Sequence, residues 1–376
     1  MHAAAEVLED WYEVTNVGKI DSPALLVYSD HIRSNIRKLV DMVGDVSLLQ
    51  PHMKTSKCAE VAKIMMEFGI DKFKCATIAE AEMLALAGAS KVLIAYPMVG
   101  PKVDRMVKLM LVYPDTEFSC LVDCPEQARH LSAHTYQADV HMRLYVDLNV
   151  GTDRTGISPS AGAAALYDFC KNTSHLIVEG FHIYDGHINC SCLDQRKALY
   201  DKAYSEVWDL VKDLSEKYQK TIPVIAGGSC TFPLHAEAGN VICSPGTFVY
   251  WDKGYQELLP EQPFDFGALV LARVISRPSP DLVCLDLGYK SIASEGPLDK
   301  RAYFLNFPGW KLVSHSEEHM VVRESIPGES AIGQEVFVVP YHVCPTVAMY
   351  DRVLVVEEKE VSACWNTLSR RRKINI

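Results

Sequence analysis

Residues 50–57 read Gln-Pro-His-Met-Lys-Thr-Ser-Lys and place Lys54 between a histidine and a second lysine. The segment follows a short apolar run, residues 46–49, and precedes a helical pattern that starts near Cys58. A loop between a strand and a helix is where a barrel presents reactive groups at its catalytic rim. A nearby cation and partial desolvation both favour the neutral amine, the nucleophilic form of lysine. The segment therefore indicates either a nucleophilic Lys54 or an ordinary solvated loop lysine.

Two late loops, residues 227–231 and 245–247, are rich in small residues and each follows a short apolar run. Glycines let backbone N–H groups approach a phosphate, and hydroxyl groups add further donors. In many barrels the phosphate site lies after strands 7 and 8, which is where these loops fall. The sequence predicts a phosphate site here, with two tight turns as the alternative. The candidate binding residues are Gly227, Gly228, Ser229, Thr231, Gly246 and Thr247.

A histidine and a cysteine, His342 and Cys344, stand two positions apart near the end of the chain. The segment reads as extended, and residues two apart in an extended segment point to the same face. Imidazole and thiolate suit zinc better than magnesium, so the pair predicts a metal clamp. A buried cysteine beside a histidine is the alternative. Cys190 and Cys192 lack the spacing of a structural zinc site, and their role stays open.

Strand and helix patterns alternate from Pro23 to about Gly246. The first pair is a strand over Ala24–Tyr28 and an amphipathic helix over Ser29–Val43, and the longest helix covers Leu193–Tyr218. About eight such units predict an α/β fold of the (β/α)8 TIM-barrel type. A doubly wound open sheet would show the same alternation and stays open as an alternative.

After Pro263 the pattern changes to β-rich runs with almost no helical periodicity. We therefore expect a (β/α)8 barrel over residues 22–255. Residues 1–21 with 256–376 are expected to form a mostly antiparallel C-terminal β domain that carries the metal ligands. The 376 residues are ample for two domains.

Composition excludes several classes of protein. The formal charge is 37 − 48 = −11, and only residues 370–373 form a basic cluster, which argues against nucleic-acid binding. No apolar stretch is long enough to span a membrane, and the first residues lack a secretory signal pattern. Twelve cysteines are scattered singly, as in a reducing compartment. We expect a cytoplasmic protein that acts on a small molecule.

The Lys54 segment resembles the Pro-His-x-Lys-Thr-x-Lys signature of the D-serine dehydratase / D-threonine aldolase family. Residues 227–231 and 245–247 are similar to that family's phosphate loops, and the late His-x-Cys resembles its metal ligands. The resemblance implies an alanine-racemase-like fold (PLP fold type III) that binds pyridoxal 5'-phosphate (PLP) and a divalent metal, Zn²⁺ or alternatively Mn²⁺ or Mg²⁺. Ser56 stands where the family often has histidine.

The resemblance also implies roles for individual residues. Lys54 would hold the cofactor, Arg154 would hydrogen-bond the PLP phenolate oxygen, and Tyr184 would stack on its ring. On the residues alone, Arg154 could instead pair with a nearby aspartate, and Tyr184 could be a core residue. His187 either faces the site or caps a loop.

The implied function is a lyase acting on D-β-hydroxy amino acids, with dehydration of D-serine to pyruvate and ammonia as the primary hypothesis. Retro-aldol cleavage of D-threonine or D-3-hydroxyaspartate is the close alternative, because it uses the same groups. An amino-acid racemase or a non-catalytic PLP-binding protein is less favoured. The resemblance also implies a homodimer.

Overall fold

The computed structural model describes residues 11–239 and 241–376, which fall into two compact units. One unit holds residues 34–249, 256–264 and 367–376. The other holds the described residues up to Arg33 with residues 250–255 and 265–366. The domain boundaries predicted from the sequence stay a prediction, and part of them falls on residues 1–10, outside the described residues.

Helices and strands alternate through the first two thirds of the chain, as the sequence predicts. In chain order they are β1 (Ala24–Tyr28), α1 (Ser29–Val43), α2 (Ala59–Glu67), β2 (Lys72–Cys75), α3 (Ile78–Ala87), β3 (Lys91–Pro97), α4 (Pro101–Val112), β4 (Glu117–Val122), α5 (Pro125–Gln137), β5 (Met142–Leu148), α6 (Ala161–Lys171), β6 (Leu176–Ile183), α7 (Leu193–Tyr218), β7 (Val224–Ala226), α8 (Phe232–Ala238), β8 (Ile242–Cys243) and α9 (Lys253–Leu258).

Strands β2 to β8 form one parallel sheet in sequential order. Residues 49–53 lie between its two ends. Gln50 N–H donates to the Cys243 carbonyl of β8 (2.9 Å), and Lys74 N–H of β2 donates to the Pro51 carbonyl (2.8 Å). Proline has no N–H, so this segment pairs only through isolated bridges. It closes the sheet as an eighth member, which confirms the barrel and makes the open-sheet alternative wrong.

Strand β1 was predicted as the first barrel strand, and that assignment is wrong. It pairs antiparallel with residues 268–271 and parallel with residues 354–356 of the second unit. All five of its residues are buried. A strand buried on both faces reads as a continuous apolar run in either kind of sheet, so local sequence does not distinguish the two places.

The second unit is built on a nine-stranded sheet. Besides β1, its elements are β9 (Ala268–Ser279), β10 (Leu282–Leu285), β11 (Ala302–Phe304), β12 (Lys311–His315), β13 (Met320–Arg323), β14 (Glu335–Pro340), α10 (Val343–Met349), β15 (Arg352–Glu357) and β16 (Glu360–Asn366). The strand order is β12-β13-β10-β9-β1-β15-β16, and β11 joins through β14 to β9. Every pairing except β1 with β15 is antiparallel, which confirms the predicted mostly antiparallel domain.

Each unit has its own apolar interior. In the second unit, alternate residues of the paired strands, such as Leu26, Leu269, Leu271 and Val339, form one buried cluster. In the barrel, Gly180 of β6 lies so close to the chain before β7 that an added Cβ would sit 2.0 Å from the Pro223 carbonyl oxygen.

Within the described residues, no helix has the length and apolar character needed to cross a bilayer.

Candidate functional site

Lys54 is positioned by the segment that closes the barrel. The flanking residues Met53 and Thr55 are buried, and Lys54 itself is partly exposed. Its backbone N–H donates to His52 Nδ1 (3.2 Å), which tightens the turn. Burial, followed by the charge of Lys54, lowers the pKa of His52 well below its usual range, so the imidazole is neutral. Lys54 thus extends from a loop that is fixed on both sides by hydrogen bonds to the sheet.

Tyr184, just after β6, is approached by three of the predicted cofactor residues. Lys54 Nζ lies 5.8 Å from the centroid of its ring, and the Arg154 guanidinium carbon lies 4.3 Å from it. Gly228 is also adjacent, because a Cβ added there would be 3.9 Å from Tyr184 Cε2. Tyr184 is only partly buried, so the core alternative does not describe it. A lysine, an arginine, an aromatic face and a glycine loop therefore converge at one point.

Arg154 is not paired with the aspartates that the sequence offered as its alternative partners. Asp147 hydrogen-bonds His182 and Thr155 instead, and Asp153 accepts from Asn149 Nδ2 (2.9 Å). The guanidinium is solvent-exposed on one side and lies over Tyr184 on the other. It is therefore available to an anionic ligand beside the ring.

The two glycine loops lie at the ends of β7 and β8. Gly227 has φ +77°, a conformation that favours glycine, and a Cβ on Gly246 would be 2.8 Å from the His52 carbonyl oxygen. Ser229 and Thr247 are buried. The Thr231 hydroxyl donates to Asp185 Oδ2 (2.7 Å), so Thr231 holds the loop in place through that bond.

Asp185 anchors the first glycine loop, and the sequence analysis missed it. Its carboxylate also accepts from Tyr204 (2.9 Å) and His235 Nε2 (3.2 Å), and the Gly228 N–H points at it from 3.4 Å. Burial opposes ionisation, but these hydrogen bonds and the charge of His235 outweigh it and lower the pKa of Asp185 to about 2. The residue lies just after Tyr184, so one turn positions both the ring and the loop.

A second lysine, Lys74 of β2, lies inside the barrel with 3% of its surface exposed. Its Nζ donates to Ser244 Oγ (2.5 Å) and lies 3.4 Å from His182 Nε2. Burial, and then the like charge of Lys54, lowers the pKa of Lys74 to about 7. The sequence analysis did not single out this residue.

His187 and the two nearby cysteines belong to the loop that leads into α7. His187 is exposed, and its Nδ1 is 3.1 Å from Thr152 Oγ1. Cys192 is the N-cap residue of α7, and the Cys190 carbonyl accepts from Arg196 (2.9 Å). His187 therefore links its own loop to the loop of Thr152, and the choice between the two roles considered for it stays open.

His342 and Cys344 lie in the second unit, and the predicted extended geometry is wrong for them. His342 is the N-cap residue of α10 and Cys344 lies in its first turn. A hydrogen bond to Cys344 is the main cause that raises the pKa of His342, to about 9, against the effect of burial. His342 Nδ1 also hydrogen-bonds Glu295. The two side chains predicted to bind a metal are therefore in contact.

Asp252 lies near this pair and accepts from the backbone N–H groups of Val343 (3.0 Å) and Tyr255 (2.8 Å). Among the described residues, no three His, Cys, Asp or Glu side chains converge as a metal-ligand group. An imidazole and a thiol side by side form a donor set suited to zinc. The residues present thus fit a two-ligand metal site whose other positions would be open.

Known protein families match both parts of the chain. The model "Alanine racemase, N-terminal domain" matches residues 27–253, which is more than half of the chain. The chain belongs to the alanine racemase N-terminal domain family. The model "Putative serine dehydratase domain" matches residues 267–356. The first match contains the cluster around Tyr184, and the second contains His342 and Cys344.

Individual relatives of this racemase-like chain are enzymes. It is 27% identical to a D-threonine aldolase from Arthrobacter sp over 364 residues, 94% of each protein. It is 21% identical to D-threo-3-hydroxyaspartate dehydratase from Delftia sp. (strain HT23), over 88% of this chain and 93% of the relative. The structure of D-threonine aldolase from Filomicrobium marinum superposes with a TM-score of 0.86 at 25% identity, over 94% of this chain and 96% of that one. The family resemblance inferred from the motifs is confirmed.

Proposed function

We propose that the chain is a PLP- and divalent-metal-dependent lyase of D-β-hydroxy amino acids, and that it dehydrates D-serine to pyruvate and ammonia. The observation that carries the proposal is the approach of Lys54, Arg154 and Gly228 to the ring of Tyr184. The names of the relatives support the lyase class, and the His342–Cys344 pair favours dehydration.

The barrel residues fit PLP on three counts. Gly228 has no side chain and leaves room beside Tyr184. A Cβ added to Gly228 would find no atom nearer than 3.9 Å apart from its neighbours along the chain. The two glycine loops offer backbone N–H groups and hydroxyls of the kind that bind phosphate. The cations of Lys54 and Arg154 suit an anionic aromatic ligand. When bound, PLP would supply an electron sink for the carbanion formed at Cα.

Each residue then has a defined task. Lys54 would hold the cofactor through Nζ and, once released by substrate, would move the Cα proton at the same atom. Arg154 would hydrogen-bond the ring oxygen, and Tyr184 would support the ring with its flat face. Gly227, Gly228, Ser229, Gly246 and Thr247 would hold the phosphate. His342 and Cys344 would hold zinc, which as a Lewis acid would make the β-hydroxyl a better leaving group.

A retro-aldol lyase is the second candidate, favoured by the names of relatives. Besides the Arthrobacter enzyme, a 3-hydroxy-D-aspartate aldolase from Paracoccus denitrificans is 23% identical to this chain. Cys344 favours the dehydratase, because histidine and cysteine mutants two positions apart are known for D-threo-3-hydroxyaspartate dehydratase, the cysteine mutant in a metal-free form. We also propose that the protein is a cytoplasmic homodimer, as its cysteine usage and the family resemblance lead us to expect.

A product assay separates the two candidates. With zinc or manganese added, the wild type should release pyruvate from D-serine. Cys344→Asp replaces a soft thiolate ligand with a hard carboxylate, which shifts the metal preference from zinc towards manganese or magnesium. The variant should lose pyruvate formation from D-serine before any other activity. Cys364→Asp is the matched control, because Cys364 is exposed on β16 and should tolerate the change. Release of glycine from D-threonine without keto acid from D-serine would establish the aldolase instead, and no reaction with either would contradict both.

A further inference from the structure

Lys74 is connected to both glycine loops by hydrogen bonds through Ser244. Its Nζ donates to Ser244 Oγ, and Ser244 in turn donates from its hydroxyl (3.2 Å) and its N–H (2.9 Å) to the Ala226 carbonyl. Ala226 ends β7, directly before Gly227, and Ser244 stands two residues before Gly246. A buried amine is therefore tied, through one hydroxyl, to the base of both loops proposed to hold phosphate.

The imidazole of His182 lies next to Lys74 in the same barrel, and the carboxylate of Asp147 lies next to that imidazole. Asp147 Oδ1 is 2.7 Å from His182 Nδ1, and an ionised carboxylate can only accept a hydrogen bond. The proton of the neutral imidazole is therefore on Nδ1, which leaves Nε2 as an acceptor facing Lys74. Burial, and then the charge of Lys74, lowers the pKa of His182, which keeps its imidazole neutral.

The charged groups around Lys74 have opposing effects on its pKa. Burial and the cations of Lys54 and Arg154 favour its neutral amine, whereas Asp147 and Asp185 favour its ammonium form. With a pKa of about 7, Lys74 is mostly neutral in mildly alkaline solution. An added anion in the barrel would shift this balance towards the ammonium form. The titratable and charged groups that act on Lys74 or on its neighbour His52 are Lys54, Lys57, Asp147, Arg154, His182 and Asp185.

We propose that Lys74 is a positioning residue for the phosphate-ester site of this barrel, one that takes up a proton at Nζ when the anionic ligand binds. This inference rests on the proposed function, which supplies the anionic ligand. A dianionic phosphate beside the two loops would attract the ammonium form through Ser244 and by direct field, since opposite charges in a poorly solvated site interact strongly. Lys74 is thus mostly in its ammonium form when the ligand is bound and mostly a neutral amine when it is not.

Calorimetry tests this proton uptake without enzymatic turnover. Pyridoxamine 5'-phosphate, which lacks the aldehyde and cannot bond to Lys54, is titrated into the full chain at about pH 8 in two buffers of different ionisation enthalpy. The wild type should take up a substantial fraction of a proton per ligand, and Lys74→Met should lose that uptake and bind about tenfold or more weakly, a loss of ~1.4 kcal/mol. The protons that the ligand itself exchanges are common to both proteins and cancel in the comparison.

Lys72→Met is the matched control. Lys72 is on the same strand, two residues away, and its Nζ donates to the Ser47 carbonyl (2.6 Å) in an exposed position. It should match the wild type in both affinity and proton uptake. If Lys74→Met does not fold, Lys74→Arg replaces it, because a permanently charged guanidinium should allow binding with no uptake.

The outcomes separate this inference from the proposed function. Binding by the wild type with equal proton uptake in the Lys74 variants and in Lys72→Met would overturn the role of Lys74 and leave the PLP site intact. Failure of the wild type to bind either PLP or pyridoxamine 5'-phosphate would contradict the proposed function itself, and this inference with it.

Discussion

At the scale of single residues, Lys54 and Lys74 are two amines of one barrel with different surroundings. Lys54 is partly exposed, and its Nζ lies 5.8 Å from the centroid of the Tyr184 ring. Lys74 is buried, and its Nζ is held by Ser244. An amine that must form and break a bond to a cofactor needs access and freedom to move, so Lys54 suits covalent attachment and Lys74 suits electrostatic support.

Reductive trapping tests this division of roles. Borohydride treatment of the PLP-loaded wild type should fix the cofactor covalently, and peptide mapping should find it on Lys54. Lys54→Ala should show no fixed cofactor, because Lys74 is already hydrogen-bonded and buried. Lys72→Met should trap as the wild type does. A reduced adduct on Lys74 in the wild type would reverse the two assignments.

Local motifs identified Lys54 but could not identify Lys74. The Lys54 segment carries a continuous motif, whereas Lys74 has no motif of its own and appears as one lysine in a four-residue strand. Its partners His182 and Ser244 are 108 and 170 residues away along the chain. A buried amine of this kind can be recognised only when the barrel brings distant strand ends together.

At the scale of elements, the loop over residues 227–231 depends on Asp185. The carboxylate receives the hydroxyls of Thr231 and Tyr204 as well as the ring of His235. Asparagine at this position keeps the size but loses the charge and leaves a buried donor facing other donors. Asp185→Asn should therefore lower the free energy of unfolding by a few kcal/mol and weaken PLP binding. Urea unfolding and cofactor titration measure the two effects.

The same carboxylate predicts how stability responds to acid. Its folded pKa of about 2 lies below the ordinary value of 3.8, so its contribution is full above about pH 4 and is lost as pH falls towards 2. The difference corresponds to ~2 kcal/mol. The Asp185→Asn protein should lack this part of the acid dependence, and Asp209→Asn, on an exposed position of α7, should retain it. Equal acid profiles for all three proteins would contradict the anchoring role.

Two elements show where local pattern misleads. The segment with His342 and Cys344 contains valines and a proline and reads as extended, yet α10 begins at Val343. Proline is tolerated in the first turn of a helix, where its missing N–H is not needed, so Pro345 does not prevent the helix. Strand β1 was placed in the wrong sheet because its sequence fits any buried strand. In both cases long-range packing decides between local alternatives.

At the scale of the whole molecule, the predicted cofactor residues and the predicted metal ligands belong to different compact units. The Tyr184 cluster lies among residues 34–249, and His342 and Cys344 lie among residues 265–366. The alternation of strands with helices and the later β-rich runs were enough to predict these two architectures. The boundary between the two units along the chain was not predictable in the same way. Strand β1 comes first in the chain but lies in the sheet of the second unit, between β9 and β15.

Because each unit has its own set of contacts, cofactor and metal should be removable separately. Dialysis against a chelator should abolish turnover while the visible absorbance of bound PLP remains, since Lys54 and the glycine loops belong to a different compact unit from His342 and Cys344. Added zinc should restore activity. Lys54→Ala provides the converse control, because it should lose the absorbance and keep its metal content. Parallel loss of metal and absorbance on chelation would contradict this independence, and full activity without metal would assign His342 and Cys344 a purely structural role.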